Sequence, residues 1–407
     1  MRKLTRYLLW AFVFTAPWDN FALPIVGSVS RAAGLVVLGA AVLTKVIEGR
    51  FRKPDAVLGF AIAFGVWVAL SLLWTLSYEN TLVAVITYAQ LIASVWVIRE
   101  FIRTREQVQQ LLIALCLGLF VPLIGLLNNF RLGIQINPSE KRFTSLGFNA
   151  DAVGFLLVVG LPIAWHLLMH RRGIVRLVGL IYFVAAPVGL LLSATRGAFV
   201  AGIAALAIVP LTLPRLSLRS YALAGVLLIG GSLSAAILVP QYNWDRILSI
   251  TTELAEGGSM SGRSAIWKAG LQAFPQRPLL GAGAGAYVEA VDPYLHYSRS
   301  RTNAHNLSLG LLVEEGIIGL ALFAALLGAC AWTIFHSPPP HRALWGVLIL
   351  TWFIGGLSGS PENMKFTWVL FGLVSAQSGL TSTVTDDTLR QKRALYRTRE
   401  SLRPATI

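Results

Sequence analysis

The sequence predicts an all-α, polytopic integral membrane protein with about twelve transmembrane helices and one large outer loop, and three observations carry that reading. The first is composition: 55% of the 407 residues are hydrophobic and only 13% are charged, against roughly 25% charged in a soluble domain. The second is spacing, because apolar blocks of about 17–25 residues alternate with short charged connections, the length at which a helix crosses the hydrocarbon core. The third is charge asymmetry between successive connections.

The apolar blocks fall at 7–25, 31–47, 56–76, 80–98, 107–127, 150–169, 174–194, 197–213, 220–239, 306–335, 343–359 and 364–381. The first follows Met1-Arg2-Lys3-Leu4-Thr5-Arg6, as a signal peptide would. Pro17-Trp18-Asp19 stands where a small-residue cleavage site would be needed, so a retained first helix is expected. This gives nine helices in 1–239, an outer loop with short amphipathic helices in 240–304, three helices in 305–381 and a basic tail in 382–407. The two cysteines, Cys116 and Cys330, both fall inside apolar blocks and read as small core residues.

With the N-terminus in the cytoplasm, the inner connections and the tail hold 22 of the 34 basic residues and 7 of the 19 acidic ones. The whole formal charge of +15 then lies on one face, as the positive-inside rule requires. These cations set topology and contact anionic membrane lipid, so a basic pI near 10.3 does not indicate nucleic-acid binding. Both termini are expected inside. The two longer connections, 128–149 and 240–304, are expected outside.

Two helices are expected in the larger loop. One covers Trp244–Ile250. The other runs from Ser261, a candidate N-cap, with Ile266, Trp267, Gly270, Leu271 and Phe274 recurring on one face and Arg263 on its first turn. The run Gly281-Ala282-Gly283-Ala284-Gly285 has the glycine spacing of a phosphate-binding loop. No strand-to-helix context surrounds it, and close backbone packing in a re-entrant segment is the stronger reading.

Candidate chemistry gathers on the outer face. Of six histidines, His166, His170, His336 and His341 lie at inner helix ends, and His296 sits in an aromatic patch, Tyr294-Leu295-His296-Tyr297. His305 differs. The stretch Arg301-Thr302-Asn303-Ala304-His305-Asn306 passes directly into an apolar block, with Thr302 or Asn303 as candidate caps. A histidine on the first turn of a helix is held neutral by the positive end of the dipole and can accept a proton. Arg196 lies in the turn Ser193-Ala194-Thr195-Arg196-Gly197-Ala198, with no acid nearby in sequence, on the face where the positive-inside rule disfavours arginine.

Arg263 is another outer arginine, and Arg142 a further one with a surface ion pair as its plainer reading. Guanidinium groups meeting at a membrane surface suit a phosphate or diphosphate. Glu314 and Glu315 lie too far along the helix to reach His305 unless it unwinds near Gly310. No metal-ligand spacing, P-loop or nucleophile elbow is present in the sequence, so neither metal nor cofactor is expected. A base with two or three arginines suffices for transfer from a lipid diphosphate, whose departing group needs charge stabilisation more than protonation.

Four segments, in order, carry a resemblance: the turn at Ser193–Ala198, the Gly-Arg before a tryptophan helix at Gly262–Trp267, Pro278–Tyr287, and HNLSLGLLVEEGIIGL from His305 to Leu320. Together they resemble the bacterial O-antigen ligase and polymerase superfamily, with one large outer loop as in the ligase. The resemblance implies a GT-C-like, metal-independent, inverting glycosyltransferase of the inner membrane, working on its periplasmic face. Its substrates would be an undecaprenyl-pyrophosphate-linked O-antigen as donor and lipid A–core oligosaccharide as acceptor. By position, His305 would be the base and Arg196 and Arg263 the pyrophosphate binders. Arg142, Asn306, Tyr287, Arg301 and Glu314 would be supporting residues. Polymerisation of the lipid-linked chain or transfer to protein are the nearest alternatives. A lipid-linked oligosaccharide transporter would need ionisable residues spread through the spans, whereas here they gather on the outer face.

Overall fold

The computed structural model describes residues 1–23, 27–135, 141–212, 218–250, 262–295 and 303–377. It is built from helices, with one two-residue antiparallel pairing, Ala22–Leu23 with Gly27–Ser28. The helices are α1 (Arg2–Thr15), α2 (Val29–Glu48), α3 (Ala56–Leu70), α4 (Tyr78–Phe101), α5 (Arg105–Leu132), α6 (Ala150–His170) and α7 (Gly173–Ser193). They continue as α8 (Arg196–Leu206), α9 (Ile208–Thr212), α10 (Leu218–Leu238), α11 (Gln241–Leu248), α12 (Arg263–Ala273), α13 (Tyr287–Val291), α14 (Leu307–Phe335) and α15 (Pro339–Gly356). A final helix, α16, covers 365–377.

Among the described residues, seven helices are long and apolar enough to cross a membrane: α2, α3 with the turn that extends it to Leu73, α4, α5, α6, α7 and α14. The other expected spans fall on shorter, interrupted or less uniformly apolar helices. Thus the expected span 197–213 is broken into α8 and α9, where Pro210 has no N–H to offer the carbonyl of Leu206.

Helix α6 is the centre of the bundle. All but a few of its residues are buried, and it packs on α5, α7, α8 and α15. Its continuous apolar surface is what a helix surrounded by other helices requires. Asn149 caps its start by accepting from the amide of Ala152 at 2.7 Å, and Asp151 follows in the first turn, where the dipole favours an anion. At the far ends of α2 and α4, Lys45 and Glu100 form a buried pair at 2.8 Å, which Glu48 and Arg103 extend.

The glycine run resolves the odd geometry of α14. At Gly316 the backbone leaves the helix, with φ 67° and ψ −171°. The segment Pro278–Gly285 lies against this break. Ala282 and Gly283 donate to the carbonyls of Val313 and Glu314 at 2.9 and 2.8 Å, and Ile317 and Ile318 donate back to Pro278 and Leu279 at 2.9 and 3.4 Å. The indole of Trp67 donates to the carbonyl of Glu315 at 3.0 Å. The backbone groups freed by the break therefore find protein partners, which is the condition for irregular backbone at membrane depth. The helix breaks at Gly316, beyond both glutamates, and not near Gly310, where unwinding would have been needed to bring them to His305. Gly281 and Gly316 both have positive φ, and a Cβ on either would sit 2.2–2.3 Å from a facing carbonyl oxygen.

Candidate functional site

His305 lies one residue before the cap of α14, in left-handed backbone with φ 46°. The cap is Asn306, whose side chain accepts from the amide of Leu309 at 3.0 Å. The expected caps, Thr302 and Asn303, do not fill that place: Thr302 lies outside the described residues, and α14 begins only at Leu307. A non-glycine residue in this backbone region is uncommon and has to be held there by its surroundings. Two contacts hold it. The indole of Trp267 donates to the carbonyl of Ala304 at 2.8 Å, and Asn306 Nδ2 donates to the carbonyl of Leu357 at 3.2 Å.

The half-buried imidazole borders a cavity of about 150 Å³. Its walls come from the start of α6 (Asn149, Asp151, Phe155), the turn before α8 (Thr195, Ala198), Asn303, and the connection after α15 (Ser358 to Pro361, Met364). Burial, and then the charge of Arg263, push the His305 imidazole below the ordinary histidine range, while Asp151 pulls the other way. The sequence also predicts a neutral histidine, but from the helix dipole. Burial and a neighbouring guanidinium are the causes here.

Asp151 is the residue that the sequence reading missed, and it organises the cavity wall. One of its oxygens accepts from Arg142 and the other from Arg263. Arg142 is held further by Ser193 and Thr195: its Nε donates to the Ser193 carbonyl at 3.0 Å and its Nη2 to Thr195 Oγ1 at 2.8 Å. Arg263 donates Nη1 to the Ser358 carbonyl at 3.0 Å. Two guanidinium groups on one carboxylate leave a net positive charge beside the cavity. The signal for Asp151 was its place two residues after an N-cap asparagine, which sequence alone does not distinguish from an ordinary first-turn acid.

The turn that carries Arg196 is locked into the same corner. Ala194 takes a left-handed backbone, and the last carbonyls of α7 are capped by Asn243 and by the amide of Phe143. A Cβ at Gly197 would come within 1.6 Å of Ser358 Oγ, so the turn needs glycine to approach the cavity wall this closely. Arg196 itself points elsewhere. It donates Nε to the Arg246 carbonyl at 3.0 Å and Nη2 to Ser249 Oγ at 2.9 Å, which ties α8 to α11. The structure therefore brings His305, Arg263 and Arg142 together around Asp151, and places Arg196 among the partners of α11.

The remaining expected site residues are placed as follows. Tyr287 is buried and donates to the Ile266 carbonyl at 3.1 Å, in a small core of α12, α13 and α14. Glu314 accepts from the amide of Gly285 at 3.0 Å, so it belongs to the glycine segment at the break in α14. Arg301 and His296 lie outside the described residues. Helix α12 begins at Arg263 with Gly262 as its cap, the expected cap Ser261 lying outside the described residues, and it buries Ile266, Ala269, Gly270 and Ala273 while Leu271 is 60% exposed. Its buried face is thus rotated from the one expected. Among the described residues, no group of three or more His, Cys, Asp or Glu side chains is placed to hold a metal ion.

A comparison with curated proteins finds no match for the chain. A family model described as O-antigen ligase matches residues 180–324. That stretch includes the Arg196 turn, Arg263, the glycine segment and His305, and over it the chain is similar to the O-antigen ligase family.

Proposed function

We propose that this membrane protein is an O-antigen ligase, transferring a polysaccharide from undecaprenyl pyrophosphate to lipid A–core oligosaccharide at the periplasmic face of the inner membrane. The observation that carries the reading is that His305 and Asp151 line one cavity, with Asp151 holding Arg142 and Arg263. The family match supports the general class, a membrane enzyme acting on lipid-linked polysaccharide.

In this reading a ring nitrogen of neutral His305 takes the proton from the acceptor hydroxyl as its oxygen bonds to the anomeric carbon. The bond from that carbon to the diphosphate oxygen breaks, and the electron pair leaves with undecaprenyl pyrophosphate. Arg263, with Arg142 beside it, stabilises the departing charge. Asp151 holds both guanidinium groups in place. Attack from the side opposite the leaving group inverts the anomeric centre. Arg196 contributes through the position of the turn that forms the cavity wall, and any direct contact with the diphosphate would require it to leave α11.

The test is transfer in proteoliposomes with purified lipid A–core and a polyprenyl-diphosphate glycan. His305→Ala is expected to reduce transfer at least about a hundredfold, the lower range for a general base. Transfer at the wild-type rate in that variant overturns the assignment. Growth of the lipid-linked chain in place of lipid A–core modification identifies a polymerase.

A further inference from the structure

A second cavity lies at the same end of the molecule, across the segment 361–365 from the first. Pro361 and Met364 line the His305 cavity, whereas Asn363 and Lys365 line the other, which has a volume of about 300 Å³. Its polar walls include Asp19, Ser28, Arg31 and Gln90. Arg31, Gln90, Leu91 and Lys365 also border a narrow apolar slot between α2 and α4, whose sides include Leu35, Leu38 and Ala93. The polar chamber and the apolar slot thus share a threshold of two cations.

These cations are unequally satisfied. Lys365 is paired with Asp19, whose Oδ1 also accepts from Ser28 and Ser30 at 3.4 and 3.1 Å. Arg31 donates Nε to the amide oxygen of Gln90 at 3.2 Å, and among the described residues it forms no ion pair with a carboxylate. Its guanidinium folds back over the turn before α2, within 3.2 Å of where a Cβ on Gly27 would lie. The threshold therefore keeps a net positive charge. A guanidinium at the end of a membrane helix, with N–H groups to spare, suits a phosphate oxygen. The slot is open on the lipid side, since Leu35 is 46% exposed.

We propose that this chamber binds an anionic phospholipid of the bilayer, with its phosphate over Arg31 and Lys365 and one acyl chain in the slot between α2 and α4. The charge of the threshold selects the headgroup, and the apolar slot selects an amphiphile over a free phosphate ion. The proposal stands on this chamber alone and does not depend on the chemistry assigned to His305. Because residues 361–365 form a wall of both cavities, lipid in one chamber would brace the other.

The experiment is native mass spectrometry of the purified full chain in detergent, titrated with phosphatidylglycerol or with phosphatidylcholine of the same acyl chains. Wild type is expected to retain phosphatidylglycerol about tenfold better, because the choline cation of phosphatidylcholine offsets its phosphate beside a net positive threshold. Arg31→Gln should abolish the preference, Arg31→Lys should keep most of it, and Ala93→Phe should weaken retention of both lipids by filling the slot. Arg342→Gln, in the first turn of α15 and outside both cavities, should leave the preference unchanged. Equal retention of the two lipids by wild type overturns the proposal, as does an Arg31→Gln protein that binds like wild type. An equal loss in Arg342→Gln overturns it too, because general charge would then explain the preference. Retention of Arg31→Lys at wild-type level, with gel-filtration profiles alike, separates lost recognition from lost folding.

Discussion

The two halves of one sequence block, His305–Gly310 and Glu314–Leu320, do opposite work. The first half stands before and at the cap of α14, with a left-handed histidine facing a cavity. The second half is a broken helix whose carbonyls and amides are taken up by Pro278–Gly285 and Trp67. Read along the chain, the two look like a single motif. In space, one presents a side chain to a cavity and the other holds backbone against backbone. A contiguous motif in a membrane protein can therefore mix a side chain that faces a cavity with the architecture that positions it, and only the partners of each residue tell them apart.

The sharpest way to break this division is at the glycines. Gly281→Ala and Gly316→Ala each place a Cβ against a carbonyl oxygen at a backbone angle that L residues rarely adopt. Each is expected to cost about 3 kcal/mol or more. The loss should be visible as a fall in monodisperse protein extracted in detergent and a lower thermal midpoint. A Gly281→Ala protein with the wild-type midpoint but no transfer would return the glycine run to phosphate binding.

On the other side of the comparison, Asp151→Ala removes the shared partner of Arg142 and Arg263. These side chains are 14%, 22% and 19% exposed for Arg142, Asp151 and Arg263, so two mostly buried cations would be left facing each other. The expected cost is about 3 kcal/mol from loss of the shared buried carboxylate, read as a lower thermal midpoint. Transfer should fall further than the loss of folded protein explains, because both guanidinium groups lose their orientation. Transfer per folded molecule equal to wild type would show that the cluster is a fold device only.

Much of this was legible from sequence for identifiable reasons. Helix positions follow from apolar length: seven expected spans fall on helices long and apolar enough to cross a membrane, whereas the first, 7–25, ends in a turn and the strand Ala22–Leu23. His305 and Arg263 stood out because polar residues at an apolar boundary are costly without a purpose. Asp151 did not, because a first-turn acid is ordinary until two arginines more than a hundred residues apart, Arg142 and Arg263, are found on it. Arg196 stood out because no acid is near it in sequence, and its partners include the Arg246 carbonyl of α11 and the hydroxyl of Ser249 just after it. Glu314 was opaque because its partners are backbone groups of a segment about thirty residues earlier, and backbone partners leave no trace in residue type; at Glu315 the carbonyl meets the indole of Trp67, far away in sequence.

A finer test uses pH, since the groups facing His305 act on it in opposite directions. Burial and Arg263 hold the imidazole below the ordinary histidine range and Asp151 raises it. The neutral, proton-accepting form therefore persists to lower pH than for a free histidine, and the acid limb of the transfer profile should lie below about 6.5. Arg263→Gln should move that limb up in pH, and Asp151→Asn should move it down, whatever each does to the maximal rate. Shifts of the same sign in both variants would remove His305 as the titrating base. For stability the sign follows from the lowered folded value: below the ordinary histidine range the unfolded chain takes a proton that the folded chain refuses. Stability is then complete above that range and falls as pH drops through it.

The smallest expected effect belongs to Tyr287, which the family resemblance marks as a supporting residue and the structure seats in the core of α12, α13 and α14. Its hydroxyl donates to the Ile266 carbonyl at 3.1 Å and lies 2.6 Å from where a Cβ on Gly270 would stand. Tyr287→Phe keeps the ring and its packing and removes one hydrogen bond, an expected loss of about 1 kcal/mol. Because α12 also carries Trp267, the anchor of Ala304, a slackened α12 reaches His305 only indirectly. Transfer should stay within about twofold of wild type while the thermal midpoint drops slightly. Abolished transfer with an unchanged midpoint would instead mean that the phenol meets substrate, and it would shift the border between chemistry and architecture to include α13.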